Sequence, residues 1–177
     1  IKGNRFITHI KRLKDCREPL SLLFEHAWPL KKKLGVVLWQ LPPRFKFQKE
    51  RLEEFCVLLS TLPGSKRHCH AFEFRDESWF CNEAFRILEE FGFAFCIAHG
   101  SGLPYTEKIT SNFIYLRLHG GEVLYGSNYS DKELKQWTEK IQDWRKKDKT
   151  VFVYFNNDAY GFAVKNALSL KKFISQE

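Results

Sequence analysis

Five short runs of β-branched and aromatic residues recur along the chain, and most are separated by stretches whose apolar side chains follow helical spacing. The runs are apolar along nearly their whole length, which is typical of parallel strands covered by helices on both faces. The pattern therefore predicts an α/β fold with a parallel sheet. The predicted strands lie at residues 35–41, 69–75, 93–100, 113–120 and 150–157.

The helical stretches lie around residues 20–27, 52–59, 82–91 and 130–144. The first should be interrupted or kinked at Pro29, and the third should end at Gly92, a residue typical of helix C-termini. Ser130 and Glu133 match a capping box, which predicts the start of the fourth helix. The connection at 100–112 is too short and too rich in Gly, Pro and Ser for a covering helix, so the alternation should fail there.

The composition suits one folded domain over residues 1–177, because 44% hydrophobic residues supply a sizeable core and no linker or repeat divides the chain. Five cysteines without a C-x-x-C pair argue against a disulfide framework and favour a reduced, cytoplasmic location. No apolar run approaches the roughly 20 residues of a membrane span, so we expect no membrane partner.

The formal net charge of +8 would attract nucleic acid or other anionic surfaces weakly. Much of the excess lies in short basic clusters at residues 30–35, 144–149 and 170–173. Cations at helix C-termini interact favourably with the helix dipole. We therefore favour solvated helix ends over a dedicated nucleic-acid patch.

Every predicted strand becomes polar at its C-terminal end. Two of them carry pairs of ionisable residues spaced two apart and so on one face, Glu73 with Arg75 and Arg117 with His119. The ends of parallel strands meet at one rim, where ligands bind in such folds, so a single site is expected. Glu73 could pair with Arg75 or with Arg117, and an ion-pair network without chemistry is the alternative. The other polar strand ends are Gln40, His99, Asn156, Asn157 and Asp158.

The sequence RHCH at residues 67–70 suggests a zinc site, because His68 and His70 alternate onto one face. It lies where its strand begins, about 10 Å from Glu73 at roughly 3.3 Å per residue. We therefore expect a packing role for these histidines.

Four segments together resemble the YecE-like proteins, a family of TIM-barrel fold whose activity is uncharacterised: LGVVLWQLPPRFKF, HAFEFRDESWF, IYLRLHGG and VYFNNDAYGFAVKNALSL, with THIKRLKD as a fifth. The resemblance covers essentially the whole chain. It implies a TIM-type (β/α) barrel in which the sequence starts near the end of the third strand, so that about six parallel strands of an incomplete barrel are present. We expect further N-terminal chain in the native protein.

The resemblance also places Lys2, Thr8 and His9 at the polar rim, beside the positions found from the strand ends. It differs at His99, where the family usually has Asp, and an acid–base or metal role is doubtful at that position.

The leading hypothesis is an enzyme, or the descendant of one, that binds or converts an anionic small molecule at the rim. Arg75 and Arg117 would clamp the anion, because guanidinium groups match carboxylate and phosphate geometry. Glu73 and His119 would be the catalytic acid–base pair. The remaining binding residues would be Lys2, His9, Gln40, Asn156, Asn157 and Asp158.

Two alternatives remain open. The first is nucleic-acid binding or metal-assisted nucleic-acid processing, with Glu73, His119 and Asp158 as ligands. The second is a noncatalytic scaffold, because barrel folds host many functions. The motifs leave the cofactor unknown.

Overall fold

A computed structural model describes residues 1–176 and shows an α/β fold with five parallel strands. The strands are β1 (Val36–Gln40), β2 (Cys69–Glu73), β3 (Ala94–His99), β4 (Phe113–Leu118) and β5 (Thr150–Phe155). The α-helices are α1 (Arg17–Ala27), α2 (Lys49–Thr61), α3 (Asn82–Phe91), α4 (Asp131–Lys146) and α5 (Phe162–Ser175). Shorter helical segments lie at Phe6–Ile10, Trp28–Lys33, Glu77–Trp79 and Ala159–Gly161.

The strand count corrects the expectation of about six. The five predicted runs each form a strand, whereas the start of the chain contributes an isolated parallel bridge between Lys2 and Leu38. After that bridge the chain turns into the segment Phe6–Ile10 within a few residues, so the pairing with β1 does not continue past Gly3. The TIM-type barrel and the single domain stay predictions.

Two compact units make up the described chain. The first comprises Ile1–Phe95 with Lys108–Ser111, and the second comprises Cys96–Glu107 with the chain from Asn112 onward. In the first unit β1 pairs with β2, and β2 pairs with the first two residues of β3. In the second unit the rest of β3 pairs with β4, and β4 pairs with β5.

The core of the first unit is aromatic. Trp39 of β1 is fully buried and packs edge to face on Phe55 of α2, which also meets Phe72 of β2. Gly3 lies directly against the indole of Trp39, so that any side chain at this position would collide with it. The N-terminal residues therefore pack on β1 through a glycine.

In the second unit β4 is buried along its whole length, as its continuous apolar run predicts. The buried face of α4 consists of Leu134, Trp137, Thr138, Ile141 and Trp144. A buried asparagine, Asn166 of α5, accepts a hydrogen bond from the backbone N–H of Tyr129 (3.2 Å) and donates one to its carbonyl (3.0 Å). This pair of bonds fixes α5 to the loop that precedes α4.

The predicted helix ends are confirmed. The segment Trp28–Lys33, with Pro29 in its first turn, follows α1, and Gly92 ends α3 in the left-handed conformation (φ 66°). Ser130 and Glu133 form the capping box of α4, and no helix forms between β3 and β4. Each basic cluster supplies the last turn of a helix.

All five cysteines are free thiols. Among residues 1–176, none of the helices is both long enough and apolar enough to cross a bilayer.

Candidate functional sites at the carboxyl ends of the strands

In the first unit the charged residue that ends β2 pairs with an arginine two residues further along the chain. Glu73, the last residue of β2, is fully buried and forms an ion pair with the Arg75 guanidinium, whose side chain is 7% exposed. The guanidinium offsets the cost of removing the carboxylate from water. Gln40, the last residue of β1, occupies the register position opposite Glu73. The ion pair with Arg75 is one of the two that the sequence predicts for Glu73.

Lys2 and His9 also lie in the first unit. Lys2 is exposed beside β1, and His9 is half-buried in the segment Phe6–Ile10, where its Nδ1 lies 2.8 Å from Thr8 Oγ1. Burial lowers the pKa of His9, and the positive charges of Arg5 and Lys2 lower it further. Its ring is therefore neutral near pH 7.

In the second unit Arg117 lies near the end of β4 and is 9% exposed. Its Nη2 donates a hydrogen bond of 2.8 Å to Oδ1 of Asn156, which directly follows β5. Tyr154 is opposite Arg117 in the β4–β5 register and is 45% exposed. His119, two residues after Arg117, is fully buried with its ring edge to face with Tyr125. The Arg117 guanidinium thus has an imidazole two residues further along the chain and an exposed phenol at the opposite position of the neighbouring strand.

Asn157 and Asp158 differ from Asn156 in their surroundings. The Asn157 amide is buried and donates hydrogen bonds of 2.9 Å to the Ser127 carbonyl and to Asn166 Oδ1. Both of its N–H groups therefore hold the loop before α4 and the helix α5. Asp158 is exposed and precedes the segment Ala159–Gly161. Their predicted binding roles, and the prediction that all the strand ends form one site, stay predictions.

His99 lies on the other face of the sheet in the second unit. Ala98 is the register partner of Arg117, so the next residue, His99, faces the opposite way. Its Nδ1 lies 2.8 Å from the Tyr129 hydroxyl, and its ring packs against Trp137 of α4. Burial lowers the pKa of His99. His99 therefore belongs to different surroundings from the other polar strand ends.

The packing interpretation of His70 is confirmed. Trp39 Nε1 donates to His70 Nδ1 (3.1 Å), and His70 Nε2 lies 3.1 Å from Ser65 Oγ. Burial lowers the pKa of His70 to about 4, so the ring is neutral at physiological pH. Among residues 1–176 no three His, Cys, Asp or Glu side chains are grouped so that they could hold a metal ion.

Sequence reasoning missed a cavity around His99 in the second unit. Its remaining walls come from the loop after β3 and from α4. The available signal was the spacing of Glu133, Trp137 and Lys140, which places them along one face of a helix.

A parallel α/β sheet with polar carboxyl ends defines a broad class of folds that serves many different functions. Within that class, the family model described as "Protein of unknown function DUF72" matches residues 1–177. The chain therefore belongs to the DUF72 family, which confirms the YecE-like resemblance.

The chain is similar to the UPF0759 protein YunF of Bacillus subtilis (strain 168), with 28% identity over 173 residues. That match covers 82% of this chain and 59% of YunF, so the chain spans somewhat more than half of that relative. It is also similar to the crystal structure of a DUF72 family protein from Thermotoga maritima MSB8, with 30% identity and a TM-score of 0.85 over 98% of this chain and 72% of that one. A DUF72 family structure from Enterococcus faecalis V583 shares the fold at 22% identity, with a TM-score of 0.77 over 90% of this chain and 66% of that one.

Proposed function

We propose that this protein binds or converts an anionic small molecule at the carboxyl ends of its parallel strands. The observation that carries the proposal is the nearly buried Arg117 guanidinium at the end of β4, held by the Asn156 amide. Open α/β sheets and barrels bind their ligands at this end.

Three features support Arg117 as the anion-binding residue. Its Nη2 donates a hydrogen bond to the Asn156 amide oxygen, which helps to fix the orientation of the planar guanidinium. It lies in a mostly buried environment, where an ionic hydrogen bond is stronger than in water. The exposed ring of Tyr154, its register partner, marks the side from which a solute can approach.

The acid–base roles belong to the same proposal. His119, two residues beyond Arg117, is assigned proton transfer in the second unit, and Glu73, held by Arg75, is assigned the corresponding role in the first. Gln40 and Asn156 are assigned to ligand orientation through their amide groups.

The test is a thermal-denaturation screen of phosphate, sulfate and small carboxylates against chloride at equal ionic strength. A ligand at ten times its Kd stabilises the native state by about 1.4 kcal/mol, which raises Tm by roughly 3–6 °C for a chain of this length. Arg117→Gln should abolish the shift, and Arg117→Lys should keep part of it because the charge remains without the fork of donors.

Arg145→Gln is the matched control, since it removes one arginine charge from an exposed position in the last turn of α4. It should respond to anions as the native protein does. If Arg117→Gln and Arg145→Gln respond alike, or if no anion acts differently from chloride, Arg117 is not an anion-binding residue and the proposal fails.

A further inference from the structure

A cavity of about 690 Å³ lies in the second unit, on the face of the sheet that carries His99. Its volume is within the usual range for small-molecule sites, which is about 300–1,000 Å³. It is bounded by the end of β3, by the loop that follows and by one face of α4. Because His99 and Arg117 lie on opposite faces of this sheet, the cavity is separate from the proposed anion site.

The first wall of the cavity is aromatic. The His99 ring lies edge to face with Tyr105 (centroids 5.6 Å apart) and with Trp137 (5.4 Å). Desolvation lowers the pKa of His99, which favours the neutral ring. Three neutral rings therefore meet here, and faces of indole and phenol attract cations.

The second wall is acidic. Glu107, Glu133 and Glu139 line the cavity, and Lys140 is the one lysine or arginine among its lining residues in the described chain. The lining therefore carries a net negative charge in a protein whose formal net charge is +8. A side-chain carbon at Gly121 would lie 3.0 Å from Glu133 Oε1 and 3.9 Å from His99 Cε1, so this carboxylate and this ring face the same point.

One ammonium group is already bound in this way. Lys140 Nζ lies 5.0 Å from the centre of the Trp137 ring and forms an ion pair with Glu107. The Glu107 carboxylate also accepts a hydrogen bond from the Tyr105 hydroxyl. An aromatic face and a carboxylate thus hold a primary ammonium at the edge of a cavity that still has space and two further carboxylates.

We propose that this cavity is a binding site for the ammonium group of a small organic cation, and that Lys140 competes with the ligand for Trp137 and Glu107. The ligand class is an alkylammonium or methylammonium ion, because aromatic faces combined with carboxylates recognise such groups. A ligand would displace the Lys140 ammonium from the indole face, and the remaining carboxylates would compensate its charge.

The experiment is isothermal titration calorimetry of the full chain with butylammonium and tetramethylammonium chloride, with sodium chloride at equal concentration as the reference. Lys140→Met should tighten binding about two- to fivefold, because it vacates the indole face. Glu107→Gln should weaken binding in the Lys140→Met background, since the carboxylate that holds the cation is lost.

Lys146→Met is the matched control. Lys146 is exposed on the same helix and pairs with Asp143. The substitution removes the same charge at a distance from the cavity, so it should leave the affinity for the organic cations unchanged. Equal tightening in the two lysine variants would show a general charge effect and overturn the proposal. The proposal is also overturned if Lys140→Met binds the organic cations no better than sodium. Arg117→Gln should leave cation binding intact. The proposal for this cavity and the proposal for the anion site can therefore be tested independently.

Discussion

His70 shows how a polar side chain at the start of a strand is accommodated in the core. The alternation of β2 gives the face on which it lies, and its position far from Glu73 predicts packing rather than metal binding. Its partners could not be predicted, because Trp39 is 31 residues away in sequence and only the parallel register of β1 and β2 brings the indole to the imidazole. For the same reason the sequence predicts that Glu73 pairs with an arginine but does not decide between Arg75 and Arg117.

The buried His70 makes stability depend on pH. Its folded pKa is about 4, below the ordinary value of 6.5, so the folded state favours the neutral ring. The stabilisation is complete above pH 6.5 and is lost as pH falls toward 4, because the unfolded chain binds the proton first. Between pH 7 and pH 5 the free energy of unfolding should fall by about 2 kcal/mol from this residue.

Urea denaturation at both pH values measures this change. His70→Gln keeps an acceptor for the Trp39 indole without a titrating group, so its pH dependence should be weaker than that of the native protein by that amount. Equal pH dependence in the two proteins would show that His70 does not titrate as its burial requires. His26→Gln, which replaces an exposed histidine of α1, is the comparison variant.

At the level of elements, the four predicted helices and five predicted strands are all present, because their apolar spacing is strong and their ends carry cap residues. The basic cluster at residues 170–173 indicated a helix end, but the sequence did not predict the rest of helix α5. Its buried positions include Asn166, whose polarity interrupts the apolar stripe, and a side chain that is buried to hydrogen-bond a distant loop leaves no local signal. The cavity around His99 was also missed. Its walls come from the end of β3 with its following loop and from α4, and the sequence does not show that these segments lie next to each other.

The capping box of α4 gives a prediction at this scale. Ser130 Oγ accepts a hydrogen bond from the Glu133 backbone N–H, and Glu133 Oε2 accepts one from the Ser130 backbone N–H. Ser130→Ala removes the first bond and should lower the free energy of unfolding by about 1 kcal/mol. Chemical denaturation measures the change.

Ser175→Ala, in the last turn of α5, is the control and should change the free energy of unfolding by less than about 0.5 kcal/mol. An equal loss of stability in both variants would contradict the stabilising role of the capping box.

At the scale of the whole molecule, the fold follows from the pattern of apolar positions more than from particular residues. A DUF72 structure with 22% identity shares it at a TM-score of 0.77. That pattern and the family resemblance together predict the parallel strands. They do not predict ligands, since polar strand ends can serve chemistry or ion pairing, and Glu73 with Arg75 shows that one such pair is at least structural.

The net charge of +8 leads to the last prediction, which separates anion binding at Arg117 from nucleic-acid binding. The basic clusters at residues 30–35, 144–149 and 170–173 carry three, four and two cations, so a single-stranded oligonucleotide bound at one of them should contact about three phosphates at once. The slope of log K against log salt should then be about −2. Fluorescence anisotropy between about 20 and 200 mM salt measures this slope, and neutralising Lys31, Lys32 and Lys33 with Gln should weaken binding while Arg117→Gln leaves it unchanged. A slope of about −5 or steeper, together with loss of binding in Arg117→Gln, would mean that the strand ends form part of a nucleic-acid surface, because only a broad array of cations around that end would release so many counterions.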